Sequence, residues 1–207
     1  AAVLAANPKI KILDMSADFR LRDGATYAEW YGHEHQAPEL QKEAVYGLTE
    51  LYRKEIAAAR LVACPGCYPT ATLLALVPIA KAGLIHADDI IVDAKSGVTG
   101  AGRGLKQNTL FSEAGEGLSP YSIGKHRHAP EIEQEIGVAV GGRVTINFTP
   151  HLIPMARGEL CTSYVKLNGA TADDLRHALA DAYKDEPFVH VAPKGVVPQT
   201  QNVRGSN

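Results

Sequence analysis

Three shortages in the sequence exclude whole classes of function. Three cysteines, at positions 64, 67 and 161 of 207 residues, provide no disulfide framework, which favours a reducing, cytoplasmic setting. No apolar run reaches the roughly 18 residues that a membrane span needs. A formal net charge of -2 offers no electrostatic attraction to nucleic acid or to an anionic membrane. We therefore expect neither nucleic acid nor a membrane as a partner.

The ends of the sequence indicate a longer protein. The chain opens on AAVLAANPKI, without an initiator methionine or a strand–glycine turn, and closes abruptly on QNVRGSN. Its length suffices for one large domain, or for one domain and part of another. We expect the chain to be part of a larger molecule.

Several stretches have the composition of strands. KIKILDMSADF (9–19) and LVAC (61–64) predict strands in the first part of the chain, and DDIIVDAKS (88–96) predicts a strand that leads into the glycine loop 96–104, SGVTGAGRG. Further on, residues 143–155 and 159–168 alternate like two strands paired around the turn 156–158. These patterns indicate an antiparallel sheet in the second part of the chain.

Four stretches predict helices. The first covers residues 49–59, with Thr49 as its cap, and the second is a buried helix over 68–84 with Pro69 in its first turn, a bend at Pro78 and Gly83 at its end. The others are 130–140, beginning at Pro130, and 171–186, opened by a Thr171–Asp174 capping box. The expected fold class is α+β, after an initial strip of α/β structure.

The stretch ACPGCYPTA, residues 63–71, places Cys64 three residues before Cys67 at the start of a predicted helix. A redox dithiol and half of a zinc site both have this spacing, and His126 and His128 are further zinc ligands in principle. A third interpretation makes Cys67 a nucleophile, because the positive end of a helix stabilises a thiolate. A fourth is a buried, inert cysteine. The segment alone leaves these alternatives open.

Residues Val62–Pro78 resemble the signature of the N-acetyl-gamma-glutamyl-phosphate reductase family. The matching residues are Pro65, Gly66, Cys67, Tyr68, Pro69, Thr70, Ala71 and Pro78. Further stretches similar to this family occur in its order: LDMSADFRL, VYGLTE, DAKSGVTGAGRG, GKHRHAPEI, FTPHLIPMARGEL and NVRGSN. The resemblance covers nearly the whole chain. It implies that Cys67 is the nucleophile and that Cys64, at a position variable in the family, is incidental.

The resemblance also implies a fold and a domain organisation. The expected α+β catalytic domain is similar to that of glyceraldehyde-3-phosphate dehydrogenase, with a mixed or antiparallel sheet and flanking helices. It would cover residues 64–207, serve dimerisation as well as catalysis, and be incomplete at its C-terminus. Residues 1–63 would be a remnant of a Rossmann-type nucleotide-binding domain and its connection. A homo-oligomer, dimer or tetramer, is expected.

The implied reaction belongs to arginine biosynthesis. The Cys67 thiolate would attack the acyl phosphate of N-acetyl-glutamyl phosphate, release phosphate and leave a thioester. NADPH, bound mostly by a domain absent from this chain, would reduce the thioester to N-acetyl-glutamate semialdehyde. The isolated chain would therefore reduce its substrate poorly. No metal is expected.

The resemblance makes His128 the acid–base residue. His128 lies just ahead of the helix predicted from Pro130, and the positive helix end keeps an imidazole neutral and available as a base. His126 is two residues away, His151 is a rival, and Tyr121 is a weaker candidate for a polar contact. A surface histidine remains the alternative interpretation of His128.

The glycine loop and several arginines are candidates for anion recognition. Ser96, Gly97 and Arg103 belong to the loop 96–104, where backbone amides and a guanidinium suit phosphate. The resemblance places Ser96 and Gly97 between substrate and nicotinamide, as contacts to both. Arg127 and Arg157 are further candidates for carboxylate or phosphate contacts. Ser16, Asp18 and Arg20 belong to a block near the pocket and have no separate assignment.

Three other functions are open. The paralogous reductase of lysine biosynthesis acts on a carrier-linked aminoadipyl phosphate, and the sequence does not separate the two substrates. A hydrolytic Cys–His enzyme would use the same residues and release a free acid without a cofactor. A non-catalytic interaction module would use the sheet only for assembly.

Overall fold

The computed structural model describes residues 2–203 and 205. The chain divides into two compact units, Ala1–Thr70 and Ala71–Asn207. Among the described residues, no helix combines the length and the apolar character required to cross a bilayer.

The first unit contains a three-stranded parallel sheet. Its strands are β1 (Ile12–Asp14), β2 (Val45–Tyr46) and β3 (Leu61–Ala63), in the order β1-β3-β2. The central strand is buried along its whole length, which explains why LVA is continuously apolar rather than alternating. The helices of this unit are α1 (Ala2–Ala6), α2 (Gly24–Tyr31), α3 (Pro38–Glu43) and α4 (Thr49–Ala58).

The prediction that Thr49 caps α4 is wrong. Thr49 is the first residue of the helix, and Leu48 occupies the N-cap with an extended backbone and no side-chain hydrogen bond. Leu48 is 3% exposed, so its burial in the core fixes where the chain enters the helix. Core packing has replaced side-chain capping at this helix end.

Helix α5 (Cys67–Lys81) begins at the cysteine that the sequence singles out. Pro69 lies in its first turn, and Gly83, with a φ of 70°, follows its end. Pro78 lies inside the helix and has no N–H to donate to the carbonyl of Leu74. The hydroxyl of Tyr183 donates a hydrogen bond to that carbonyl instead, at 2.6 Å. The helix therefore accommodates Pro78 without leaving Leu74 unsatisfied, and the predicted bend stays a prediction.

The second unit contains a four-stranded mixed sheet. Its strands are β4 (Ile90–Ser96), β5 (Ser119–Pro120), β6 (Ile146–Leu152) and β7 (Glu159–Tyr164), in the order β5-β6-β4-β7. Strand β4 pairs in parallel with β6 and antiparallel with β7, and β5 pairs antiparallel with β6. The expected α+β class with a mixed sheet and flanking helices is confirmed.

The predicted pairing of segments 143–155 and 159–168 is wrong. Strands β6 and β7 lie on opposite sides of β4 instead of next to each other. The connection between them packs onto the loop after β4, where the N–H of Gly97 donates to Gly158 O at 2.9 Å and that of Val98 to Met155 O at 2.9 Å. These bonds place the returning strand beyond β4, so a tight hairpin does not form.

The two faces of this sheet differ in exposure. Along β4, Ile90, Val92, Ala94 and Ser96 are buried, whereas Ile91, Asp93 and Lys95 point to the other face and are partly or fully exposed. Helix α7 (His128–Val140) packs against β6 and buries Ile132 and Ile136. The remaining helices are α6 (Phe111–Ala114) and α8 (Ala172–Ala182), with 3-10 turns at Val98–Ala101, Gln107–Thr109 and Thr200–Val203. The predicted Thr171–Asp174 capping box is confirmed at the start of α8.

Candidate active site

The turn before Cys67 is held by hydrogen bonds from both sides. The N–H of Cys64 donates to Asp14 O at the end of β1, at 2.8 Å. The Nε–H of Arg20 donates to the carbonyl of Cys64, also at 2.8 Å. Arg20, from the SADFR block, therefore fixes the peptide that leads into the cysteine. Ser16 in the same block bonds to the carboxylate of Asp14 at 2.8 Å instead.

Cys67 combines exposure with a helix start. Cys67 is exposed and forms no disulfide, whereas Cys64 and Cys161 are only partly exposed. The next residues, Tyr68 and Pro69, are fully buried and anchor the first turn. The carbonyl of Gly66 accepts two hydrogen bonds from Thr70, one from its N–H at 3.0 Å and one from its side-chain hydroxyl at 2.9 Å. The positive end of α5 at this position favours a thiolate.

A zinc site at Cys64 and Cys67 would need further ligands, and the described part of the chain contains no such set. Across residues 2–203 and 205, no group of three or more histidine, cysteine and acidic side chains is arranged to hold a metal ion.

His128 is the first residue of α7, not a residue ahead of the helix as predicted. Its backbone N–H donates to Nδ1 of His126 at 3.2 Å, and its own Nδ1 atom is buried. The helix extends two residues before Pro130 because Pro130 occupies the first turn, where a missing N–H costs nothing. The proximity of His128 to a positive helix end, on which the prediction depends, is retained.

His126 is mostly buried among aromatic rings. Its ring centroid lies 4.6 Å from that of His128, 5.2 Å from Phe148 and 5.5 Å from Tyr121, all in edge-to-face geometry. Burial, followed by the charge of Arg127, lowers the pKa of His126 from 6.5 to about 4. The ring is therefore neutral at pH 7, and with Nδ1 accepting a bond its proton is on Nε2.

The glycine loop packs tightly against the connection between β6 and β7. A Cβ at Gly97 would lie 2.9 Å from both Arg157 N and Met155 O, so no other residue fits without movement of the backbone. The Gly97 N–H donates to Gly158, and the buried hydroxyl of Ser96 donates to Gly97 O at 3.0 Å. A contact of Gly97 with a ligand stays a prediction, because its N–H bonds to Gly158 O and the backbone of residues 155–157 fills the place of a Cβ.

A cavity of about 840 Å³ lies along the same connection. Its lining is Met155, Ala156, Arg157, Gly158, Thr200, Gln201, Val203 and Gly205. It includes Arg157 but not Arg103 or Arg127, which lie exposed in other loops. Sequence reasoning missed Thr200 and Gln201; the adjoining NVRGSN block was the available signal. Arg204, Ser206 and Asn207 of that block lie outside the described residues.

His151 belongs to a different environment from His128. Its Nδ1 lies 3.2 Å from Asp93 Oδ1, and Lys95 Nζ lies 2.5 Å from Asp93 Oδ2. Lys95 and Asp93 form an ion pair on the more exposed face of the sheet, and His151 lies beside it, with its Nδ1 also 3.2 Å from Ala94 O. The structure therefore gives His151 a charged partner of its own on that face.

Comparisons with known proteins agree on one family. The sequence profile described as "Semialdehyde dehydrogenase, dimerisation domain" matches residues 67–207. An N-acetyl-gamma-glutamyl-phosphate reductase from Rhodospirillum rubrum is 58% identical over 96% of this chain and 57% of its own length. A probable chloroplastic reductase of the same name from Arabidopsis thaliana is 57% identical over 96% of this chain and 50% of its own length. The chain thus spans half to three-fifths of these relatives.

Solved structures show the same fold at low identity. Aspartate semialdehyde dehydrogenase II from Vibrio cholerae, complexed with ASA, aligns with a TM-score of 0.67 at 15% identity, covering 100% of this chain and 62% of that protein. Aspartate semialdehyde dehydrogenase with NADP from Candida albicans aligns with a TM-score of 0.57 at 11% identity, covering 99% and 62%.

Proposed function

Because the chain belongs to the semialdehyde dehydrogenase family, whose dimerisation domain it matches over residues 67–207, we propose that it is the cysteine-bearing part of an N-acetyl-gamma-glutamyl-phosphate reductase. The observation that carries this proposal is the exposed Cys67 at the positive end of α5. The names of the relatives at 58% and 57% identity support the acetyl-glutamyl substrate over the aminoadipyl one.

The proposed chemistry begins with proton transfer. In this proposal His128, at the N-terminus of α7, takes the thiol proton of Cys67. The thiolate then forms a C–S bond with the acyl carbon, the C–O bond to phosphate breaks, and the departing phosphate oxygen takes the proton back from His128. The product of these steps is a thioester on Cys67.

NADPH would supply the hydride that converts this thioester to the aldehyde and frees the thiolate. In this chain, the cavity along Met155–Gly158 lies next to the loop of Ser96 and Gly97, since the N–H of Gly97 bonds to Gly158 O. We propose Ser96 and Gly97 as the cofactor contacts of this chain, with most others supplied outside it. Arg103, Arg127 and Arg157 are proposed anion contacts, and Arg157 alone of the three lines the cavity.

Domain assignment and setting belong to the same proposal. Residues 1–63 are proposed as the remnant of a nucleotide-binding domain, and residues 64–207 as the catalytic and dimerisation domain. A reducing, cytoplasmic compartment suits a nucleophile that has to remain a free thiol.

Substoichiometric iodoacetamide is expected to alkylate Cys67 before the other two cysteines. The thiolate fraction and access set the rate of alkylation. Cys67 is exposed at a helix N-terminus, whereas Cys64 and Cys161 are only partly exposed and do not begin a helix. Peptide mass analysis over a time course measures the three rates. Preferential modification of Cys64 or Cys161 would contradict the proposal that Cys67 is the nucleophile.

We propose that a second copy of the chain packs on the more exposed face of the β5-β6-β4-β7 sheet. Ile91, Leu160 and Tyr164 remain 45%, 40% and 56% exposed there. Strand register places all three on one face, since Ile91 pairs with Tyr164 and Lys95 with Leu160. The Asp93–Lys95–His151 cluster includes an acidic and a basic side chain, which can pair with their counterparts across a two-fold axis.

Ile91→Lys in the full-length enzyme is expected to weaken self-association by roughly tenfold or more, because a charge at the centre of an interface is desolvated. Sedimentation velocity over a concentration series measures the dissociation constant. Val138→Lys is the matched control, as Val138 is 55% exposed on α7 rather than on the sheet. Equal weakening by both variants would count against this face.

A further inference from the structure

The structure assigns to His126 the role of a positioning residue that fixes the first turn of α7 and thereby the imidazole of His128. We propose this as an addition to the reaction above, and its catalytic consequence rests on the proposed role of His128. His126 itself would not contact the reacting atoms.

The first element of the inference is the hydrogen bonding at the start of α7. Helix N-termini leave N–H groups without intrahelical partners. Arg127, in the N-cap position, makes no side-chain cap hydrogen bond. His126 accepts two of these donors: Nδ1 takes the N–H of His128 at 3.2 Å, and its carbonyl takes the N–H of Ala129 at 3.0 Å. One residue outside the helix thus performs the capping.

The second element is the anchoring of the His126 ring. It packs between Tyr121 and Phe148, whose ring centroids lie 5.5 Å and 5.2 Å away. Phe148 is a buried residue of β6, and the N–H of Tyr121 bonds to Pro150 O of the same strand at 3.0 Å. His126 therefore connects the start of α7 to the sheet, and its acceptor atom has little freedom to move.

The third element is the protonation state. The Nδ1 atom of a histidine can accept a hydrogen bond only when the ring is neutral, because both nitrogens carry protons in the cation. The lowered pKa of His126, at about 4, keeps this acceptor available throughout the neutral range. Burial of the ring and, after it, the charge of Arg127 both oppose a cation at this place. His126 is consequently suited to hold a backbone amide and unsuited to exchange protons during turnover.

Two substitutions separate the acceptor from the rest of the side chain. In His126→Asn, an amide oxygen takes the place of Nδ1, whereas in His126→Gln the polar group is moved to the place of Nε2. Both variants lose the aromatic ring. In the full-length enzyme, His126→Gln is expected to lower kcat roughly 10- to 100-fold with KM near the wild-type value, and His126→Asn to stay within about threefold.

Hydrogen–deuterium exchange of the peptide covering 126–132 provides a readout independent of activity. Exchange is expected to accelerate in the Gln variant and to remain slow in the Asn variant, with melting temperatures confirming that both fold. Equal kcat in the two variants would overturn the inference, as would rapid exchange in Asn. If His128→Gln leaves kcat unchanged, the proposed function fails instead, whatever the behaviour of His126.

Discussion

Cys67→Ser in the full-length enzyme is expected to lower kcat for acyl-phosphate reduction by roughly a thousandfold or more. A serine hydroxyl is not ionised near neutral pH, and the positive end of α5 that favours a thiolate has no comparable effect on it. The substitution changes one atom of an exposed residue, so the buried Tyr68 and Pro69 are expected to keep the helix start in place. NADPH oxidation in the presence of the acyl phosphate measures the loss.

Cys64→Ser is the matched control for this experiment. The contacts of Cys64 that hold the turn use its backbone N–H and carbonyl, which serine retains. Its kcat is therefore expected to remain within a few-fold of the wild type. A loss in Cys64→Ser comparable with that in Cys67→Ser would indicate a dithiol mechanism and would sink the assignment of a single nucleophile.

His128→Gln is expected to lower kcat by roughly 10²- to 10⁴-fold, the usual contribution of a general acid–base residue. Glutamine cannot take the thiol proton or return it to the departing phosphate oxygen. Helix α7 should still form, because its first-turn contact with His126 uses the backbone N–H of residue 128. Single-turnover measurements should place the loss in thioester formation.

His151→Gln tests the rival histidine with the same change of side chain. His151 lies 3.2 Å from Asp93 on the exposed sheet face, so its replacement is expected to leave kcat within a few-fold of wild type. A greater loss at His151 than at His128 would reverse the two assignments. Thermal unfolding of both variants checks that the difference does not arise from misfolding.

Local patterns predicted the longer elements but neither the short ones, such as α2 and α3, nor the way the strands assemble. The capping box of Thr171 and Asp174 and the helix start at Cys67 depend on neighbours in sequence, and both appear in the structure. The partner of a strand depends on the whole sheet. Residues 143–155 and 159–168 have the same alternation whether they pair with each other or flank β4. The alternation therefore does not determine which strands are neighbours in the sheet.

The candidate site shows the same division. Cys67 and His128 were predicted as site residues through the family resemblance, with helix ends as the physical support. The packing of the His126 ring against Tyr121 and Phe148 was not predictable, because the three rings come together only in the folded chain. Thr200 and Gln201 line the cavity for a similar reason: a short 3-10 turn brings them there.

The hydrogen bond from Tyr183 to the carbonyl of Leu74 joins two positions more than a hundred residues apart in the sequence. We expect it to couple the evolution of Tyr183 to that of Pro78. Pro78, four residues after Leu74, has no N–H to donate to the Leu74 carbonyl. The Tyr183 hydroxyl supplies the missing donor. A lineage that replaces the proline restores the missing N–H, and phenylalanine then becomes acceptable at 183. Relatives should accordingly retain proline and tyrosine together, or be free to lose both.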